Sequence, residues 1–106
     1  LPLLQELQAR YSPLPYVEGT HFYNSFGHLN GYSSNYYIYQ WSQAIATDLF
    51  VRFQAAGLRD TATAREYRKK VLAPGGSKPA AEAVADFLGR PFSTEAYRVY
   101  LGKLKD

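Results

Sequence analysis

The sequence contains no cysteine. That excludes a disulfide framework and a thiolate metal site, and it suits reducing and oxidising surroundings equally. Histidine is nearly as scarce. His21 and His28 stand seven residues apart and no His-Glu-x-x-His pair is present, so the arrangement that holds and uses zinc on a single helix is missing. Glu18 lies near His21, but three loose candidates on a proline- and glycine-rich segment make a poor ligand set. His21 reads instead as an exposed or packing histidine. No Ser/His/Asp or Cys/His arrangement can be argued, and no pair of carboxylates stands out for acid–base work. Every apolar run is shorter than a membrane-spanning helix. Leu1 is not a natural start, so the missing signal peptide says nothing about a parent protein. Taken alone, the chain is expected to catalyse nothing.

Positive charge is rare in the first half. Residues 1–51 carry one base, Arg10, against Glu6, Glu18 and Asp48, a net of −2, whereas residues 52–106 carry eleven bases against six acids, a net of +5. A basic half can mark a nucleic-acid partner. Here Arg65, Arg68, Lys69 and Lys70 are interspersed with Glu66 and read more simply as a solvated helix face. Neither nucleic acid nor a membrane is expected as a partner. The length, 106 residues, fits one small domain or a piece of a larger one.

What the chain has in quantity is tyrosine, ten of them beside six phenylalanines and one tryptophan. Four fall within His28-Leu29-Asn30-Gly31-Tyr32-Ser33-Ser34-Asn35-Tyr36-Tyr37-Ile38-Tyr39-Gln40-Trp41. Tyr32, Tyr36 and Tyr39 are spaced four and three apart, so a helix beginning at Ser33 or Ser34 brings their phenols to roughly one side. Two readings stand. Aromatic residues at helical spacing fill cores; alternatively, a row of neutral hydroxyl donors beside a histidine suits recognition of a carbonyl oxygen or of the charge that develops on it.

The remaining pattern is helical throughout. Leu3, Leu4, Leu7 and Tyr11 share a face behind Pro2, and the prolines at 13 and 15 end that helix near Tyr11. Residues 12–31 are mostly irregular, with a short helical turn expected around Phe22 to Phe26. The main helix is expected from about Ser34 to Ala56, capped by Ser33 or Ser34 and ended by Gly57. Its buried stripe is Ile38, Trp41, Ile45, Leu49, Phe53 and Ala56, leaving Tyr36, Tyr39 and Gln43 on a different face. A third helix runs from a cap at Asp60 or Thr61 to about Leu72, with Ala64, Tyr67, Val71 and Leu72 as its apolar side. Pro74-Gly75-Gly76 breaks the chain and reads as a tight connection, since no strand precedes it and no Gly-Lys-Ser/Thr follows. Ser77 then caps a fourth helix that turns Ala80, Ala83, Val84, Phe87 and Leu88 inward and ends at Gly89. Ser93 caps a last one bearing Tyr97, Tyr100, Leu101 and Leu104. With no strand alternation and no internal repeat, the expected fold is all-α, a small helical domain of about five helices with one long central helix.

Phe26-Gly27-His28-Leu29, then Gly31-Tyr32, then Tyr36-Tyr37-Ile38-Tyr39-Gln40-Trp41-Ser42 resembles the C-terminal part of the thimet oligopeptidase family of zinc metallopeptidases. The likeness continues through Tyr67-Arg68, Pro74-Gly75-Gly76-Ser77 and Phe87-Leu88-Gly89-Arg90, covering the chain from about Phe22 to Leu101. The resemblance implies that residues 1–106 are the C-terminal helical part of a larger α-helical metallopeptidase catalytic domain, whose zinc motif lies upstream and is absent from this chain. It implies zinc in the full-length parent and none bound here, with short peptides as substrates and the remainder of the catalytic domain as the chain's partner.

By position, Tyr39 matches a tyrosine that hydrogen-bonds the oxyanion of the tetrahedral intermediate, and Tyr32 a second one contacting substrate. Tyr36 matches a further substrate-side tyrosine and His28 a histidine beside the scissile bond, and Gly31, a glycine hinge, is grouped with these two as substrate-binding. Relatives commonly have one more residue between that histidine and the first tyrosine, often as Gly-Gly, whereas Gly31 stands alone here; the tyrosine spacing is unaffected. The compartment is left open, the cytoplasm being favoured. A non-enzymatic helical domain that binds a peptide or protein through its aromatic face is the alternative, and a single-strand nucleic-acid binder stacking bases on the same tyrosines is a third, less expected class.

Overall fold

A computed structural model describes residues 2–103. Six α-helices order the chain, and no strand occurs among the described residues. They are α1 (Pro2–Tyr11), α2 (His28–Gly31), α3 (Ile38–Ala56), α4 (Thr61–Tyr67), α5 (Ala80–Leu88) and α6 (Glu95–Lys103). Short 3-10 turns at Phe22–Ser25 and Gly75–Ser77 and a π turn at Arg68–Leu72 complete the list. The all-α expectation holds, with the four-residue α2 as the extra helix. Among the described residues no helix is long and apolar enough to cross a membrane. The chain divides into two compact units, Leu1–Tyr36 and Tyr37–Asp106.

The first unit holds α1 and α2. As the prolines require, α1 stops at Tyr11. Its stripe has little to cover it: Leu3, Leu7 and Tyr11 are exposed and Leu4 is half-buried. No described side chain of this unit is fully buried. Local hydrogen bonds hold the irregular stretch instead. Tyr16 donates from its hydroxyl to the Thr20 carbonyl at 2.9 Å, and the Ser25 hydroxyl donates to the Phe22 carbonyl at 2.6 Å.

The second unit has the core. Leu49 of α3 meets Val84 and Phe87 of α5, with Ile45, Phe53, Tyr67, Val71, Leu88 and Phe92 packed around them. Phe87 is completely buried; its ring lies 5.3 Å from that of Tyr67 and 5.9 Å from that of Phe53. The Arg52 guanidinium sits 4.5 Å over the same ring. Arg52 also pairs with Glu66 at 2.8 Å and donates to the Phe87 carbonyl, one of the orphan carbonyls at the end of α5. One basic side chain thereby ties α3 to α4 and to α5.

Helix ends depart from the expected caps in three places. The long helix begins at Ile38, four residues later than the serines suggest, because Ser34 takes a positive φ of 61° that breaks the helical path. Tyr37 stands at its head without a side-chain cap. Gly57 ends it at φ 101° and ψ 135°, more extended than a left-handed helical residue. Helix α5 starts after Pro79, whose fixed φ suits the entry to a helix and whose carbonyl accepts from Glu82 and Ala83, so Ser77 caps nothing there. Asp60 does cap α4, accepting from the Thr63 amide at 2.6 Å, and Gly89 closes α5 in the left-handed conformation.

The expected stripe of α3 is only half covered. Ala44, Asp48 and Leu49 are buried, whereas Ile38, Ala56 and Trp41, the last 52% exposed, are not. Helices α4, α5 and α6 all pack on α3 but cover its middle. Tyr100 and Leu101 of α6 are likewise exposed, and Leu104 falls outside the described residues.

Asp48 is the side chain that periodicity did not foretell. It is 1% exposed and accepts three hydrogen bonds. Two come from the Arg90 guanidinium, at 2.5 and 2.9 Å, and one from the Ser93 amide at 2.9 Å. The bond from Arg90, more than burial opposes, holds the Asp48 carboxyl below the usual carboxylate range, and Arg90 is raised in turn. A depressed carboxylate stabilises the fold fully above its unfolded-state value, 3.8, and loses that contribution as the pH falls through the lower folded-state value.

Asp48→Ala is expected to cost about 3 kcal/mol in urea denaturation and to flatten the pH dependence of stability below about pH 4. Phe87→Ala, which empties the centre of the core, is expected to cost about 3–5 kcal/mol with no such change in the acid limb.

Candidate functional site

Helix α2 is a single turn that starts at His28 and ends at Gly31, where the Tyr32 amide donates back to the His28 carbonyl at 2.8 Å. That turn sets His28 and Tyr32 one above the other, with ring centroids 5.0 Å apart in an edge-on arrangement. A second turn follows, in which the Asn35 amide donates to the Tyr32 carbonyl at 2.9 Å. It brings Tyr36 back toward the histidine, 5.5 Å from it centroid to centroid. Phe26 closes the group, its ring 4.9 Å from Tyr36 and 6.0 Å from His28. Tyr32 and Tyr36, linked by spacing, and His28, linked by the family resemblance, are thus brought together by two consecutive turns.

The tyrosines are not core residues. Tyr32 is 42% exposed and Tyr36 44%. In the second unit Tyr39, the second residue of α3, is 45% exposed. Among the described residues these tyrosines fill none of the buried space that Leu49, Val84 and Phe87 define. Gly31 has ordinary backbone angles, and a Cβ added to it would meet nothing within 4 Å. Its small size leaves open space beside the histidine and tyrosines rather than relieving a clash.

Metal ligation fares differently. Among the described residues no group of three or more His, Cys, Asp or Glu side chains converges as a metal-holding set. His21 lies edge-on to Tyr23 at 5.8 Å, a packing contact.

The two side chains that follow Tyr39 along α3 have partners in the segment after α5. Gln40, next along α3, accepts a 2.5 Å hydrogen bond from the Tyr97 hydroxyl, and the Trp41 ring lies 5.7 Å from that of Phe92. Tyr97 had been placed on an apolar helix face, and its hydroxyl is the signal that a polar partner was required. Open apolar concavities lie elsewhere in the second unit. One of about 470 Å³ follows α3 along Ile45, Leu49, Phe50 and Phe53 toward Tyr67 and lacks the converging polar groups of a substrate site.

Comparison with known proteins identifies the family. Residues 1–102 match the family described as Peptidase family M3. Organellar oligopeptidase A, chloroplastic/mitochondrial, of Arabidopsis thaliana is 32% identical over 97 residues, which is 86% of this chain and 12% of the relative. Thimet-like oligopeptidase of Dictyostelium discoideum is 35% identical over 89 residues, 83% of this chain and 13% of the relative. Oligopeptidase A of Escherichia coli strain K12 is 28% identical over 104 residues, 96% of this chain and 15% of the relative. The chain therefore spans about an eighth of the length of these relatives. With nearly its whole length accounted for by the match, the chain belongs to peptidase family M3.

Proposed function

We propose that this chain is the C-terminal part of a zinc-dependent oligopeptidase and supplies hydroxyl donors to the carbonyl of the peptide bond being cleaved. Family membership and the relatives' names support an oligopeptidase parent that acts on short peptides. The observation that carries the roles within this chain is the exposure of Tyr32, Tyr36 and Tyr39 in a sequence whose apolar residues have a separate core to fill. Zinc in such a parent is held by residues outside this chain.

The chemistry of this chain's own groups follows from where charge develops. When a peptide carbonyl is attacked, its oxygen gains negative charge, and donors already aimed at that position lower the barrier because they need no reorganisation. Tyr39 takes that role: a phenol donates one hydrogen bond and brings no charge of its own to the ground state. Tyr32 is the second donor to the reacting segment. His28 and Tyr36, packed ring against ring, orient the peptide main chain beside it, and the open space at Gly31 admits that main chain closely. The isolated chain, with donors but no nucleophile, is inactive.

In the full-length enzyme, Tyr39→Phe is expected to lower kcat on short peptides about 100- to 1,000-fold, the usual cost of one oxyanion donor, while zinc content and KM change little. Turnover equal to wild type removes Tyr39 from this role. The isolated residues 1–106 are expected to release no product from the same peptides.

A further inference from the structure

We propose that Tyr97 is a positioning residue for Tyr39, acting through Gln40. The inference rests on the reading of Tyr39 given above and adds to it the device that holds the tyrosine in place.

Tyr39 sits in the first turn of α3, the part of a helix most prone to fray. That turn has no side-chain cap, and none of residues 38–41 is buried. Two of its side chains, Gln40 and Trp41, are met from one short segment after α5. The Phe92 ring meets Trp41, and the Tyr97 hydroxyl donates to Gln40 Oε1 at 2.5 Å. The same segment is fastened a second time to α3, where the buried Asp48 carboxylate accepts from the Ser93 amide and from Arg90. Residues 40 and 48 are about 12 Å apart along a helix axis. The segment 90–97 therefore grips α3 at two points separated by two turns. One point lies in the interior and is fixed by charge; the other lies at the rim, beside the catalytic donor.

The two grips have different duties. The buried one sets where the segment lies, and its loss lowers the stability of the unit. The rim one contributes little to stability, because water competes for an exposed hydrogen bond. It does restrict the first turn of α3, and an oxyanion donor displaced by as little as 1 Å loses much of its effect. A hydroxyl far from the substrate thus influences turnover without touching it.

The test uses the full-length enzyme with Tyr97→Phe, Gln40→Leu, the double variant, and Gln40→Glu, which keeps an acceptor for the Tyr97 hydroxyl. Tyr97→Phe and Gln40→Leu are each expected to lower kcat on a short peptide about fivefold, with KM and Tm unchanged. The double variant is expected to match either single one, and Gln40→Glu to stay near wild type. Unchanged kcat in Tyr97→Phe, additive losses in the double variant, or a fall in Tm that accounts for the loss of activity overturns the proposal. Tyr39→Phe measured alongside separates the two readings. A large loss there with none in Tyr97→Phe sinks the positioning role alone, and full activity in Tyr39→Phe sinks both.

Discussion

A carboxylate removed almost wholly from water has to be met by donors or be protonated, and in this protein Asp48 is met three times. The arrangement is economical in sequence. Gly89 turns α5 out of its helix in the left-handed conformation, which delivers the next residue, Arg90, to the carboxylate. Ser93 follows and offers its amide to the same carboxylate, and its hydroxyl accepts from the Glu95 amide at 3.2 Å to start α6. The direction in which α6 leaves, and so the position of Tyr97 above the head of α3, descends from that one buried charge. Dispersion and burial around Phe87 supply the bulk of the cohesion, but they are indifferent to direction. The ion pair provides the directional part.

The two units divide the labour unevenly. The second has a core and an ion pair whose carboxylate is buried, and it holds its helices against one another. The first is built from turns and one short amphipathic helix whose stripe remains exposed, yet it carries His28, Tyr32 and Tyr36 in ring contact.

Much of the architecture was legible in the sequence, and the failures share a cause. Apolar spacing located α1, α3, α4 and α5 and the inward side chains Leu49, Val84 and Phe87, because periodic burial is a local property of one helix. The cap at Asp60 and the stop at Gly89 were read for the same reason. The start of α3 was misjudged because serine is a good cap only where the backbone approaches in extended form, and Ser34 instead occupies a positive φ. Trp41 and Ile38 were assigned to the core because a stripe records what a helix buries in its full surroundings, and α4 to α6 cover only its middle. Asp48 sits among Ala44, Ile45 and Leu49 on the covered side of α3. A lone acid in that position was the available sign of a buried pair, but its partner lies 42 residues away and no local pattern points to it. Spacing and the family resemblance both singled out the tyrosines, but Tyr32 and Tyr36 lie in turns ahead of α3 rather than along the continuous helix the spacing suggested.

One small irregularity has a wider bearing. At Arg68–Leu72 the helix widens into a π turn, with the Ala73 amide reaching back five residues to the Arg68 carbonyl at 2.8 Å. Such a turn accommodates one residue more than the α form. Between Tyr67, fixed by its contact with Phe87, and the bend at Pro74, the polypeptide thus stores a single unit of slack. A cousin lacking one amino acid in this interval can tighten the coil and keep both flanks in register, so gaps in alignments of this group have a natural home inside a helix, where insertions and deletions are otherwise hard to absorb.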